Sequence, residues 1–399
     1  MTEKTIALHN RIKPEILATE TTEIFRFNEK LSKIPGVIKL TLGEPDFNTP
    51  EHIKKAAINA INDNCSHYTE MAGTKEVRSA ASSYLRKKYN LFYDSDSEIT
   101  LTTGVTEAVY DTLSAIVSAK DEILVPTPVF PLYFPIIKMN GGIPVCIDTS
   151  KTGFLLTPDD LKRILELHPK AKAIILNSPS NPTGMTYTEN QLIELANILR
   201  KYDIFVISDE IYSDLVFEHN YFSIARLLKD QTILLNGLSK SHAMTGWRVG
   251  LMCGPKELLS EISKIHELTV TSINSISQQA ACEAFKNGFN DSSVMLKDYL
   301  ERRDFLYKEL RNLGIECNNP SGSFYLFAKI PDCFEQNSEK FCLDVAIKSK
   351  VGLIPGSHFG PGGEGYVRIS YAASMETITE ALRRLSMYVK AESLGSTAI

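Results

Sequence analysis

The sequence predicts an α/β fold: a large domain built on a mostly parallel, seven-stranded sheet, followed by a smaller α+β domain. Three observations carry that expectation. Short apolar runs alternate with helical stretches through most of the chain, and the texture changes after about residue 290. A length of 399 residues with 43% apolar content is also enough for more than one core.

The apolar runs cover residues 99–103, 123–125, 143–147, 173–177, 204–208, 232–236 and 249–252, each flanked by Gly, Pro, Asn, Asp or Ser. Most are continuous rather than alternating, the pattern of strands covered on both faces. Beyond them, SVMLKDYLERRDFLYKELRNLG reads as a long amphipathic helix that stops at Gly314, a C′ glycine. Strand-like runs at 324–330 and 366–371 and a helix over 375–389 complete the smaller domain. The expected division is an N-terminal segment over 1–48 packing with the small domain, a large domain over 49–289 and a small domain over 290–399.

Composition narrows the function. A net charge of −5 is spread over mixed-sign segments, with no basic stripe for nucleic acid and no polybasic anchor for a membrane. The start of the chain lacks a signal-peptide pattern and no run is long enough to span a bilayer, so a cytoplasmic protein acting on small molecules is expected. The seven cysteines are scattered and form no CxxC pair, which suggests neither a disulfide framework nor a metal site.

Several segments have a functional and a plain reading. GPGGEG, with Gly360, Gly362 and Gly365, satisfies a dinucleotide fingerprint, but it precedes a strand instead of opening a helix and reads as a loop. In ITLTTGVTEAVY a strand runs into Gly104 and a helix opens at Val105 and Thr106, which makes either an ordinary capped turn or an anion site. Asp209 in FVISDEIY ends a buried-type strand, where open α/β sheets place ligand contacts, or it caps its own amides. Lys240 in LLNGLSKSHAMTGWRVG follows another strand in an apolar, Ser-rich turn with no acid beside it. It is a solvated charge or an amine whose burial favours the neutral, nucleophilic form. Asn181, in NPTG, is a turn residue or a ring-facing donor. Arg368, in the strand VRIS, is half-exposed or a bidentate carboxylate clamp.

Taken in order, LGEPDF, HYTEMAG, TTGVTEA, PTPVFPLY, NPTG, SDEIY, SKSHAMTGWRVG and VRIS resemble the fold type I, class I/II aminotransferases over nearly the whole chain. That resemblance implies pyridoxal 5'-phosphate as cofactor, joined to Lys240 as a Schiff base. Lys240 would also move the substrate proton, Asp209 would pair with the pyridine nitrogen, and Tyr212 and Asn181 would bond the ring's phenolic oxygen. Phe130 would stack on the ring. The amides of Gly104, Val105 and Thr106, with Ser239 and Arg248, would hold the phosphate, and Tyr68 would reach the phosphate of the other subunit in a homodimer. Arg368, helped by backbone near Gly43, would clamp the substrate carboxylate. One position departs from a frequent pattern: Gly237 stands where many relatives place a phosphate-binding Ser.

The resemblance is strongest to bacterial aromatic amino acid and N-acetyl-diaminopimelate aminotransferases. It implies transfer of an amino group from an L-amino acid to a 2-oxo acid such as 2-oxoglutarate by a ping-pong scheme. No motif marks a second arginine for a distal carboxylate, which favours an aromatic or broad pocket. A carbon–sulfur β-lyase would share the fold and Lys240. A cofactor-sensing regulator would need a DNA-binding domain ahead of LGEPDF, which already begins at residue 42.

Overall fold

The computed structural model describes residues 2–19 and 22–396, so parts of both expected flanking segments (residues 1, 20, 21 and 397–399) lie outside the described residues. In chain order the strands are β1 (Ile38–Lys39), β2 (Ile99–Thr102), β3 (Glu122–Thr127), β4 (Ile143–Asp148), β5 (Ala173–Asn177), β6 (Phe205–Asp209), β7 (Thr232–Gly237), β8 (Gly250–Cys253), β9 (Tyr325–Lys329), β10 (Val351–Gly352), β11 (Ile354–Pro355) and β12 (Tyr366–Ser370). Seven of them form one sheet in the order β2-β8-β7-β6-β5-β3-β4. Only β8 is antiparallel to its neighbours. All seven apolar runs of the sequence are therefore strands of this sheet.

The continuous apolar runs arise because both faces are covered. Along β5, Ala173 and Ile175 join a core beneath the helix Val105–Ile116, whereas Ile174 and Leu176 join a core on the opposite face. Each such isoleucine or leucine contributes about 1.5–3 kcal/mol by leaving water. The edge strand β4 is covered less, and Ile143 is 47% exposed.

A separate core surrounds the three-stranded sheet β11-β12-β9 and takes in Phe27 and Leu31 of the helix Glu23–Ser32. Parallel pairing of β1 with β10 aligns Ile38 with Val351 and joins the N-terminal segment to this part. The long helix runs Asp291–Asn312 and ends as the sequence predicts: Gly314 takes φ +75°, and Ile315 N–H reaches back to Leu310 O at 3.0 Å. The last helix extends beyond the expected 389, to Ser396, because Lys390, Ala391 and Glu392 are helix formers and Glu392 pairs with Lys348 at 2.9 Å. Gly360, Gly362 and Gly365 of GPGGEG have positive φ and lead into β12, and no helix start follows them. No helix among the described residues is long and apolar enough to cross a membrane.

Candidate active site

Parallel strands β5 and β6 end at a cleft of about 390 Å3. Such ends are where open α/β sheets leave their strand-terminal side chains free to meet a ligand. The cleft brings together Lys240, Asp209, Tyr212, Asn181, Arg368 and Arg248, which are spread over 188 positions in the sequence. Gly43, Val105, Thr106, Phe130 and Ser239 line it too.

Asp209 is the last residue of β6 and is 4% exposed. Its Oδ2 accepts from Tyr133 Oη at 2.6 Å and its Oδ1 from the Ile211 amide at 3.2 Å. No helix follows, so Asp209 is not the cap of one. Burial pushes its carboxyl up to about 6, against the two hydrogen bonds and the charge of Lys240, which pull it down.

Lys240 sits on the short helix Leu238–Ser241 that follows β7, and its Nζ donates to Gly43 O at 2.6 Å. Burial drops its amine to about 8; Glu44 and Asp209 oppose that, while Arg248 and Arg368 reinforce it. The fold thus supplies the acid that the local sequence lacks. An amine in this range is neutral in a useful fraction at neutral pH and can act as nucleophile or base.

Arg368 lies in β12 and is 3% exposed, which settles its two readings in favour of burial. Nη1 donates to Asn181 Oδ1 and Nη2 to Thr41 O, both at 2.8 Å, and Nε has no partner among the described residues. Its guanidinium lies 4.3 Å from the centre of the Tyr325 ring. A buried guanidinium held by neutral acceptors is a ready receptor for an anion. Tyr212 and Tyr325 share a hydroxyl contact of 2.9 Å, and a Cβ on Gly43 would sit 2.7 Å from Tyr325 Oη.

At the other end of the cleft the helix Val105–Ile116 begins. Its first amides, at Val105 and Thr106, have no carbonyl one turn back and can take an anion. The amide of Gly104 is different from the expectation, since it donates to Thr102 O at 2.8 Å. Gly104 contributes space instead: a Cβ there would lie 2.5 Å from Arg248 Nη2. Arg248 is held by the carbonyls of Thr245 and Thr103 at 3.0 and 3.3 Å. Gly237 has no room for the Ser of the frequent pattern, because a Cβ would meet Val249 O at 2.8 Å. Tyr68 is 90% exposed and lies outside the cleft of its own chain.

The set fits pyridoxal 5'-phosphate group by group. A buried primary amine suits an aldehyde, a buried carboxylate suits a pyridine nitrogen, and helix-start amides with an arginine suit a phosphate. Phe130 and Ile211 offer apolar faces. Sequence reasoning missed Tyr133, Tyr325 and Thr41, and the wall made by Ile24, Phe25, Asn28 and Leu42. Tyr133 stands three residues after Phe130 in PTPVFPLY and Leu42 opens LGEPDF, so both lie within quoted motifs; the others carry no local signal.

Comparison with known proteins agrees with this geometry. Residues 35–385 match the family described as aminotransferase class I and II. The chain is 43% identical over 384 residues to a probable N-acetyl-LL-diaminopimelate aminotransferase of Bacillus subtilis (strain 168), covering 96% of each. It is 35% identical to aromatic-amino-acid aminotransferase 2 of Thermococcus litoralis, covering 94% of this chain and 97% of that one. Among solved structures, aspartate aminotransferase from Thermus thermophilus with maleate superimposes with a TM-score of 0.89 at 32% identity, covering 94% of this chain and 99% of that one. The chain belongs to the class I and II aminotransferases, a fold type I family of pyridoxal-phosphate enzymes.

Proposed function

We propose that this chain binds pyridoxal 5'-phosphate in the cleft and transfers the amino group of an aromatic or broadly varied L-amino acid to a 2-oxo acid such as 2-oxoglutarate. The observation that carries the reading is the pairing of a buried amine, Lys240 Nζ, with a buried guanidinium, Arg368, that meets no carboxylate among the described residues, in one cleft. When bound, the cofactor supplies a conjugated, electron-withdrawing ring that stabilises negative charge at the substrate Cα.

The protein's own part follows from its side chains. Arg368 binds the substrate α-carboxylate through its fork and, with Asn181 and the backbone at Gly43, fixes which Cα bond is presented. Lys240 would anchor the cofactor covalently, and its Nζ would hold and move the substrate Cα proton. Asp209 would keep the cofactor's ring nitrogen protonated. Tyr212 and Asn181 would bond the ring's phenolic oxygen, and Phe130 would cover a ring face. Val105, Thr106, Ser239 and Arg248 would hold the phosphate. The two half-reactions alternate in this one cleft, as a ping-pong scheme requires.

The cleft draws on Thr41–Glu44, on Asp209 and Lys240, and on Tyr325 and Arg368. It therefore opens where the proposed segment 1–48, large domain 49–289 and small domain 290–399 meet. Tyr68 is proposed to complete the site of a second copy in a homodimer, which accounts for a 90% exposed tyrosine in an otherwise ordinary turn.

For the side-chain pocket, Ile24, Phe25, Leu42 and Leu132 form an apolar wall, and Lys240, Arg248 and Arg368 are the only cationic side chains among the described lining residues. That wall supports an aromatic or broad donor over strict use of aspartate. A second reading is N-acetyl-diaminopimelate, supported by the 43% identical relative and by Asn28 Oδ1, a buried acceptor without a partner among the described residues that could receive an amide N–H. A donor panel of phenylalanine, tyrosine, aspartate and N-acetyl-diaminopimelate with 2-oxoglutarate, read as glutamate formed, separates these. Pyruvate released from cystathionine without any acceptor would overturn both in favour of a β-lyase.

A further inference from the structure

Behind the cofactor cleft, on the face of the helix Val105–Ile116 turned toward the helix Lys256–Val270, lies a cluster of a half-buried Glu107 with a buried Asp111 and His266. None of the three lines the cleft, and none has a role in the mechanism above. Glu107 and Asp111 are four residues apart on one helix and so project to the same side. His266 meets them from the other helix, and one ligand atom from each residue lies within 4.8 Å of the others.

The hydrogen bonds around this cluster do not close. His266 Nε2 faces Met71 O at 3.0 Å, and a carbonyl oxygen can only accept, so Nε2 carries a proton. In neutral His266 the other nitrogen, Nδ1, then presents a bare lone pair, and it does so to a carboxylate oxygen, Glu107 Oε1, at 2.8 Å. Two acceptors at that separation require a positive centre. A proton on Nδ1 would serve this pair and no more. Asp111, 0% exposed, keeps both carboxylate oxygens without any hydrogen-bond partner among the described residues, although Oδ2 lies 4.0 Å from the same Nδ1. A fully buried carboxylate with no donor costs several kcal/mol unless something neutralises it.

We propose that Glu107, Asp111 and His266 form a binding site for a divalent first-row transition-metal cation of the zinc or manganese class. Bonds of about 2.0–2.2 Å at a tetrahedral angle put two ligand atoms about 3.3–3.6 Å apart, so the 4.0 Å between His266 Nδ1 and Asp111 Oδ2 has to close by only about half an ångström. Glu107 Oε1 completes three protein ligands, and its contact with Nδ1 has to open by only about half an ångström to reach the edge of a tetrahedron of such bonds. One imidazole and two carboxylates favour a transition metal over magnesium, which prefers oxygen alone. The second oxygen of Glu107 accepts from the Thr103 amide and Met71 O fixes the tautomer of His266, so two ligands already have the outer partners typical of metal sites. The three ligands fall at positions 107, 111 and 266, so no spacing motif announces them.

The test uses the full-length, cofactor-loaded enzyme after chelator treatment and dialysis. Mn2+, which avoids thiolates, is titrated calorimetrically, followed by Zn2+ in a separate run, with metal content per chain read by elemental analysis. The expected result is one ion per chain. Asp111→Asn should weaken that binding by at least about tenfold while leaving the transamination rate unchanged and raising the metal-free melting temperature, since the carboxylate it removes is buried without a hydrogen-bond partner among the described residues. An absence of stoichiometric binding to the unaltered enzyme overturns the proposal whatever the variant does. Equal affinity and stoichiometry in Asp111→Asn overturn it too, by placing the ion elsewhere. A donor-panel result that refutes the proposed amino donor has no bearing on either outcome.

Discussion

Arg368 donates Nη1 to Asn181 Oδ1 at 2.8 Å, joining the strand β12 of the smaller sheet to the loop that leaves β5 of the larger one. The contact spans 187 positions and both residues are buried. Because Nη2 is held by Thr41 O, the guanidinium plane is fixed before any substrate arrives. Lysine keeps the charge but has neither the plane nor the fork. Arg368→Lys is therefore expected to lose about 2 kcal/mol of charged hydrogen bonding, or roughly thirtyfold in kcat/KM for the amino donor. The loss should appear mainly in KM. Steady-state kinetics with the preferred donor check it, and unchanged kinetics would remove Arg368 from the carboxylate site.

Lys240→Ala removes both the anchor and the proton carrier. Turnover should fall by at least about three orders of magnitude, within the range for loss of an acid–base group and beyond it if attachment also matters. Attachment has its own readout. After incubation with pyridoxal 5'-phosphate and borohydride reduction, peptide mass spectrometry should find a phosphopyridoxyl group on Lys240 in the unaltered enzyme and none at position 240 in the variant. A label on some other lysine of the unaltered enzyme would contradict the assignment.

Asp209 gives a pH dependence whose sign can be fixed. Its carboxyl is raised from 3.8 to about 6 in the folded, cofactor-free protein, first by burial. Between those values the folded state holds a proton that the unfolded state has released, so stability falls as pH rises through the window. The shift of about 2 units corresponds to at most about 3 kcal/mol lost by pH 7. Asp209→Asn cannot ionise. Compared by chemical denaturation without cofactor, it should gain stability over the unaltered protein on going from pH 4 to pH 7, and it should lose most of its activity. A stability difference that is flat between the two pH values would show that Asp209 is not a buried acid.

How far the sequence reaches is clearest in two of the site's residues. Asp209 is legible because it terminates a continuous apolar strand, and a strand covered on both faces has only its end left for a polar side chain. Tyr325, whose hydroxyl and ring border Tyr212, Gly43 and Arg368, is not legible, because inside a strand of the smaller sheet it looks like any core aromatic. The same limit hides Asn28 and Phe25, which reach the cleft only because β1 pairs with β10 and carries the N-terminal segment across. Local motifs report what a turn or a strand end requires. Contacts made between elements leave no periodic trace, and the partnerless Asp111 beside His266 is the extreme case.

Gly104 shows how a motif residue can act without donating anything. Its φ of +76° and ψ of 167° lie in a region that essentially only glycine enters, and its amide is already bound to Thr102 O. What Gly104 provides is the absence of a Cβ where the Arg248 guanidinium lies 2.5 Å away. In Gly104→Ala the new methyl must displace that guanidinium or force the loop out of its turn, and the backbone strain alone costs about 1–3 kcal/mol. Both effects fall on the end of the cleft assigned to the phosphate. Affinity for pyridoxal 5'-phosphate, titrated into cofactor-free protein, should drop by roughly five- to a hundredfold, with a smaller effect on affinity for pyridoxal lacking the phosphate. Equal losses for the two ligands would mean that this helix start does not hold the phosphate, and that Arg248 serves another part of the cleft.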